Sequence, residues 1–143
     1  MTTKTSRPQV ADFLKYYLED RYNFVSATIK NKAGETIAAG AVQPGAPLSL
    51  NGSQWETLAS GAEADAEGFF ADTRMTPSLA SDAISPIKYK ILKRGPAIAN
   101  PDTGVLDPVG TAYVAATMTT KLEALSPPVA VLRDTATSQT QTD

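Results

Sequence analysis

Apolar residues in this chain change period near residue 24. Before that point Val10, Phe13, Leu14, Tyr17 and Leu18 recur at i, i+3, i+4, i+7 and i+8, while Asp12, Lys15, Glu19 and Asp20 fall elsewhere. That spacing gives an amphipathic helix its apolar stripe. Ser6-Arg7-Pro8-Gln9 precedes the stripe with the spacing of a capping box and a proline suited to a first turn, so a helix is expected over 7–22. The stripe suits packing on the domain's own core, with docking on a partner as the alternative.

From Phe24 the period is two. FVSATIKN, the turn residues Ala33-Gly34 and ETIAAGAV predict a β-hairpin. In PLSLNGSQWETLA, Leu48 and Leu50 alternate with polar neighbours, and Asn51-Gly52 predicts a second hairpin whose returning strand carries Trp55 and either Thr57 or Leu58. Trp55 is therefore expected to be a cross-strand anchor in the core or at a subunit interface, with a ligand platform as the alternative. SPIKYKILKRG over 85–95 predicts a strand with Ile87, Tyr89 and Ile91 on one face and Lys88 and Lys90 on the other. A helix is expected from about Ala115, with Val114, Met118, Leu122 and Leu125 near one face, stopped by Ser126-Pro127-Pro128. VAVLR then supplies a short closing strand, and 134–143 is a polar tail expected to be disordered.

A chain of 143 residues suits one domain, here a β-rich unit over 9–133 behind an arm at 1–8. It contains neither cysteine nor histidine. Disulfides, thiolate catalysis, cysteine-rich metal sites, the usual general base near neutral pH and the commonest transition-metal ligand are thereby excluded. Carboxylates, hydroxyls, lysine and tyrosine remain, and no cofactor or metal is expected. The opening MTTKTSRPQ leads into no apolar run and no stretch is long enough to span a bilayer, so the chain is expected to be unexported and free of membrane contact. Its net charge of −2 gives no general attraction to nucleic acid. The charges are nevertheless sorted: 51–82 holds six acids and Arg74 as its one base, while 88–94 holds Lys88, Lys90, Lys93 and Arg94.

Three motifs invite chemistry and each has a simpler reading. Glu63, Asp65, Glu67 and Gly68 imitate the start of a calcium loop, but position 12 is Arg74 where two oxygens are needed, which leaves a solvated strand edge or acidic loop. Asp102-Thr103-Gly104 carries the aspartic-protease triplet, yet Asn100-Pro101 precedes it in place of an apolar strand, and the segment reads as a turn. The lysines of 85–95 lie opposite the tyrosine face, so salt bridging to the acidic 51–82 region is expected ahead of nucleic-acid binding.

The order Gly40, Gly45-Ala46-Pro47-Leu48, Trp55, Gly61 and Ala66-Glu67-Gly68 resembles the head decoration (capsid cement) proteins of tailed phages, of the lambda type, across roughly residues 25–135. In that family a P-L-x-L strand is followed by an apolar or tryptophan-bearing strand and then by A-x-G-[apolar], which Gly68-Phe69-Phe70 matches. YVAATMTTKLEALSPPVAVLRD also looks like the family's helix and closing strand, with Ser126-Pro127-Pro128 where a glycine turn is usual.

The resemblance, with the pattern, implies an α+β, mainly β fold: a small barrel- or sandwich-like domain with one N-terminal helix, one short C-terminal helix and polar arms. It further implies a structural virion protein without catalytic activity, made in the host cytoplasm, that binds the capsid exterior as a homotrimer and stabilises the shell. Its partners would be the major capsid protein and itself. Thr2, Thr3, Lys4, Thr5, Ser6, Arg7 and Pro8 would form the capsid-binding arm, and Leu48, Leu50, Trp55, Phe69 and Phe70 the core or subunit interface. Two other expectations stand beside it: a phage tail or fibre accessory module stacking host carbohydrate on Trp55, and a carboxylate hydrolase using Asp102 with an acid from 61–72.

Overall fold

The computed structural model describes residues 9–17 and 20–132. The proposed arm, Thr2 to Pro8, and the tail over 134–143 lie outside the described residues. Along the chain run α1 (Val10–Phe13), β1 (Leu14–Tyr17), α2 (Asp20–Asn23), β2 (Phe24–Ala27), β3 (Ile29–Lys30), β4 (Pro47–Asn51) and β5 (Gln54–Thr57). A 3-10 turn (Glu63–Asp65), β6 (Gly68–Phe70), β7 (Tyr89–Leu92), β8 (Ala97–Ala99), α3 (Ala115–Glu123) and β9 (Ala130–Val131) follow.

The fold is α+β and mainly β, as the sequence pattern indicates. Its strands form a six-stranded sheet of order β2-β7-β6-β4-β5-β3 and a three-stranded sheet of order β1-β8-β9. The sheets do not close into a barrel. One continuous core joins them, with the Phe13 ring 5.9 Å from that of Phe69 and with Met118 and Leu122 of α3 fully buried.

The hairpin predicted around Asn51-Gly52 is present, with Leu48 opposite Thr57 and Leu50 opposite Trp55. Its two-residue loop is Gly52-Ser53: Gly52 takes φ 65 while Ser53 keeps a negative φ, the arrangement of a type II′ turn that matches strand twist. The closing helix and strand also lie where the pattern places them, although Val114 is an exposed N-cap rather than part of the buried stripe.

The N-terminal helix is a correction. Among the described residues of that span two separate single turns, α1 and α2, flank β1: in α1 the Asp12 carboxylate accepts from the Gln9 N–H at 2.8 Å, and Leu14 then turns extended to begin β1. Strand β1 pairs antiparallel with β8, and the sheet ladder outweighs the helical period of the side chains. The first predicted hairpin is a second correction. Strand β2 pairs with β7 and β3 runs parallel to β5, so 24–42 does not fold back on itself at Ala33-Gly34. Buried Asn31 accounts for this: its Nδ2 donates to the carbonyls of Glu35, Leu79 and Ala80, and its Oδ1 accepts from the Ala33 N–H. One amide thereby satisfies the loop's main chain without a second strand. The strand predicted over 85–95 is a third correction, confined to Tyr89–Leu92; Ile87 is exposed, and Ser85 Oγ is taken up by Ile87 O and Ile29 N.

Candidate functional site

Residues 47–70 build the centre of the six-stranded sheet. Pro47 lies opposite Phe69, Leu48 opposite Gly68 and Leu50 opposite Trp55, so the segments Pro47–Leu50, Gln54–Thr57 and Gly68–Phe70 lie side by side. Leu48, Trp55, Phe69 and Phe70 are buried within this single chain, and Leu50 is half-buried against the same core. Gly68 is required by close approach: a β-carbon there would meet Trp55 Cζ3 at 2.8 Å, Ile91 Cγ2 at 2.9 Å and the Leu92 carbonyl oxygen at 2.9 Å. Trp55 is 3 % exposed, so its ring offers no face on which a sugar could stack.

The acidic ladder is not wholly solvated, which corrects the sequence reading. Glu63 is 2 % exposed, and its carboxylate accepts from the Gly61 N–H at 2.9 Å and from the Val114 N–H at 2.6 Å. Val114 is the N-cap of α3, so this acid from a distant loop supplies what a capping side chain ordinarily gives, close to the positive end of the helix. Asp65 and Glu67 do face solvent. Among the described residues no group of three or more acids is placed to hold a metal ion.

Two further carboxylates are spent on the main chain. Asp107 is buried and accepts from the N–H groups of Ser60, Val109 and Thr111, tying the loop after β5 to the loop after β8. Asp72, also buried, accepts from the Arg74 N–H, Nε and Nη2 and from the Lys90 N–H at 2.9 Å. Burial alone would raise the Asp72 pKa, but the hydrogen bonds from Arg74 and Lys90 outweigh it and hold the carboxyl below its ordinary value. The meeting of 88–94 with the acidic region therefore runs through main-chain groups at Asp72, while Lys90 Nζ sits 5.0 Å over the Phe24 ring. Beside these anchors the Tyr113 hydroxyl donates to the Leu58 carbonyl at 2.6 Å, and burial pushes its pKa strongly upward, helped by the negative charges of Asp107 and Glu63.

Asp102 lies on an exposed turn closed by its own N–H donating to Asn100 Oδ1. It borders a small cleft with Asp12, Lys15 and Thr103, whereas Asp65 and Glu67 border a larger one of about 700 Å³ with Leu50, Lys93, Lys121 and Leu125. The acids that a carboxylate hydrolase would pair thus line different clefts. The sequence reading missed Asn31, Asp72 and Asp107 as organising residues. The one signal available for Asp107 was its Asp-Pro-x-Gly turn setting.

Comparison of the chain with family models, with curated proteins and with solved structures finds no match.

Proposed function

We propose that this chain is a structural virion protein that binds the outer surface of a tailed-phage capsid as a homotrimer and stabilises the shell, without catalytic activity. The observation that carries the reading is the assembly of Pro47–Leu50, Trp55 and Gly68–Phe70 into one packed unit at the centre of the larger sheet. Those are the segments on which the resemblance to decoration proteins rests, and their spacing has a packing reason in Gly68 under Trp55. The buried carboxylates support the same reading, because Glu63, Asp72 and Asp107 are committed to main-chain N–H groups and stiffen a scaffold. A rigid module that presents surface, repeated symmetrically on a shell, gains strength from many modest contacts.

The test is co-sedimentation with capsids of the encoding phage that have been stripped of decoration. The full chain is expected to sediment with the capsids and raise their resistance to heat, and deletion of residues 1–8 is expected to weaken binding without changing the number of chains per particle in solution. A chain that never sediments with the capsids would refute the proposal.

A further inference from the structure

Four asparagines stand in the chain, and the structure sets one of them apart. Asn23 and Asn31 are fully buried, with the Asn23 amide donating to the Arg94 and Pro96 carbonyls at 3.0 Å and the Asn31 amide donating to three others. The main-chain nitrogen after Asn31 is engaged as well, because the Lys32 N–H donates to Thr57 Oγ1 at 2.9 Å. Asn100 precedes Pro101, whose nitrogen carries no hydrogen. Asn51, in contrast, is exposed at the tip of the β4–β5 hairpin and precedes Gly52.

That tip leaves the Gly52 nitrogen open. In a two-residue II′ loop the ladder bonds run between the flanking residues, here Asn51 and Gln54, and bypass the N–H of the first loop residue. Among the described residues nothing accepts from the Gly52 N–H, and beyond its chain neighbours no heavy atom lies within 4 Å of where a β-carbon on Gly52 would stand. The Asn51 amide is held weakly: its Nδ2 donates to Glu56 Oε2 at 3.5 Å, at the long limit of hydrogen bonding.

We infer that Asn51 is a site of spontaneous self-modification, at which the Gly52 main-chain nitrogen closes on the Asn51 side chain and turns its amide into a carboxylate. The Gly52 N–H gives its proton to hydroxide, the nitrogen bonds to Asn51 Cγ, and the Cγ–Nδ2 bond breaks as ammonia leaves with a proton taken from water. Water then opens the five-membered imide at one of its two carbonyls. Breaking the new bond from Gly52 N to Cγ restores the ordinary main chain with an aspartyl side chain. Breaking the original bond from Gly52 N to the Asn51 carbonyl carbon leaves the main chain running through the side chain, one methylene longer. In sum, an amide and a water become a carboxylic acid and ammonia, with no electron transferred. Glycine at 52 permits the approach, since it has no side chain to crowd the attacking nitrogen.

The product does not fit the hairpin as Asn51 does. Asn51 and Glu56 share one face of the β4–β5 pair, and Glu56 is 8 % exposed. Conversion replaces the Nδ2 donor that meets Glu56 with a second anion, and two carboxylates at that range repel. The lengthened main chain also spoils the loop length on which the pairing of Asn51 with Gln54 depends. The hairpin at the centre of the larger sheet thus carries a clock that loosens it with age, whatever surface the chain binds.

The test follows the full chain, held folded at neutral and at mildly alkaline pH. Its tryptic peptide 33–74, in which Asn51 is the one asparagine, is monitored by mass spectrometry beside a synthetic peptide of residues 47–57, and longer-chain linkages are counted by labelling with an isoaspartyl methyltransferase. Conversion at Asn51 is expected within roughly tenfold of the rate in the synthetic peptide, because a hairpin tip opens readily, while Asn23, Asn31 and Asn100 stay intact. It is expected to quicken with alkalinity and to disappear in Asn51→Gln, whose longer side chain does not form the five-membered ring. The converted fraction, separated by anion exchange on its added charge, is expected to unfold at lower urea than the fresh chain. It is also expected to fall below Asn51→Asp, which has the charge without the longer main chain. Slower conversion than this, equal conversion at the buried asparagines, or a mass gain that persists in Asn51→Gln overturns the site. A converted fraction as stable as the fresh chain overturns the clock.

Discussion

The six-membered edge of Trp55 lies directly over Gly68, with Cζ3 only 2.8 Å from where a β-carbon on that glycine would stand. Ile91 and the Leu92 main chain close the other sides of the space, and all of these atoms belong to the core. None can withdraw as a flexible surface side chain would. Gly68→Ala is therefore expected to destabilise the domain by about 1–3 kcal/mol and to shift Trp55 emission. Urea unfolding followed by fluorescence measures both, and an unchanged midpoint would show that the sheet opens at this point at little cost.

Asp72 makes stability depend on acid. Its folded pKa is depressed below the ordinary 3.8, so the unfolded chain takes up the proton first. The contribution is fully present above the unfolded pKa and disappears as pH falls through the lower, folded one. Asp72→Asn is expected to cost about 1–3 kcal/mol at neutral pH, because the Arg74 and Lys90 N–H groups lose a charged acceptor, and to flatten the fall in stability below about pH 4. Chemical denaturation at a series of pH values tests it; parallel pH profiles for the two proteins would count against it.

Glu63 should couple its own loop to the start of α3. Glu63→Ala leaves the Gly61 and Val114 N–H groups without their acceptor and is expected to cost about 1–3 kcal/mol. Hydrogen exchange is expected to quicken first in the opening turn of α3. Equal protection there in both proteins would mean that another group or water caps the helix.

Tyr113 governs the alkaline limit. Its pKa is raised in the folded state, as is that of Tyr89, each chiefly by burial, so ionisation above about pH 10 occurs first in the unfolded chain and draws the equilibrium that way. Stability is intact below the unfolded pKa and declines as pH climbs toward the folded one. Tyr113→Phe is expected to lose about 1 kcal/mol at neutral pH with the Leu58 hydrogen bond, and to shed part of the alkaline decline. Ultraviolet absorbance of tyrosinate, recorded alongside circular dichroism, would show a freely titrating Tyr113 if this were mistaken.

What could be read from the sequence was what local rules decide. Asn51-Gly52 with alternating leucines located the hairpin, though the loop proper begins one residue later, and Met118 with Leu122 located α3. The N-terminal segment was misread because Val10, Phe13 and Leu14 satisfy a helical period equally well when Phe13 ends one turn and Leu14 begins a strand. The decision belongs to Ala97–Ala99, more than eighty positions onward, and a local period cannot see it. Asn31 defeated the first hairpin for a similar reason, since its partners Leu79 and Ala80 are remote in sequence. The capped acids were invisible too. A carboxylate that accepts from distant N–H groups looks, in sequence, like any solvated one.

The short loop Gly52-Ser53 has a consequence for the order of events as the chain folds. Strands β4 and β5 need to close only that loop, whereas Phe24 must find Leu92 and Leu14 must find Ala99 across about half of the chain. Closing long loops before any contact rewards them makes non-local pairing slow. The Pro47–Thr57 hairpin is thus expected to acquire protection first in pulse-labelling during refolding, with the three-stranded sheet among the last regions to do so. Earlier protection of β1 and β8 would reverse that order. If the hairpin leads, the smaller sheet is completed late, so the emission of Trp55 reports the early events of folding and not the closure of β1 on β8.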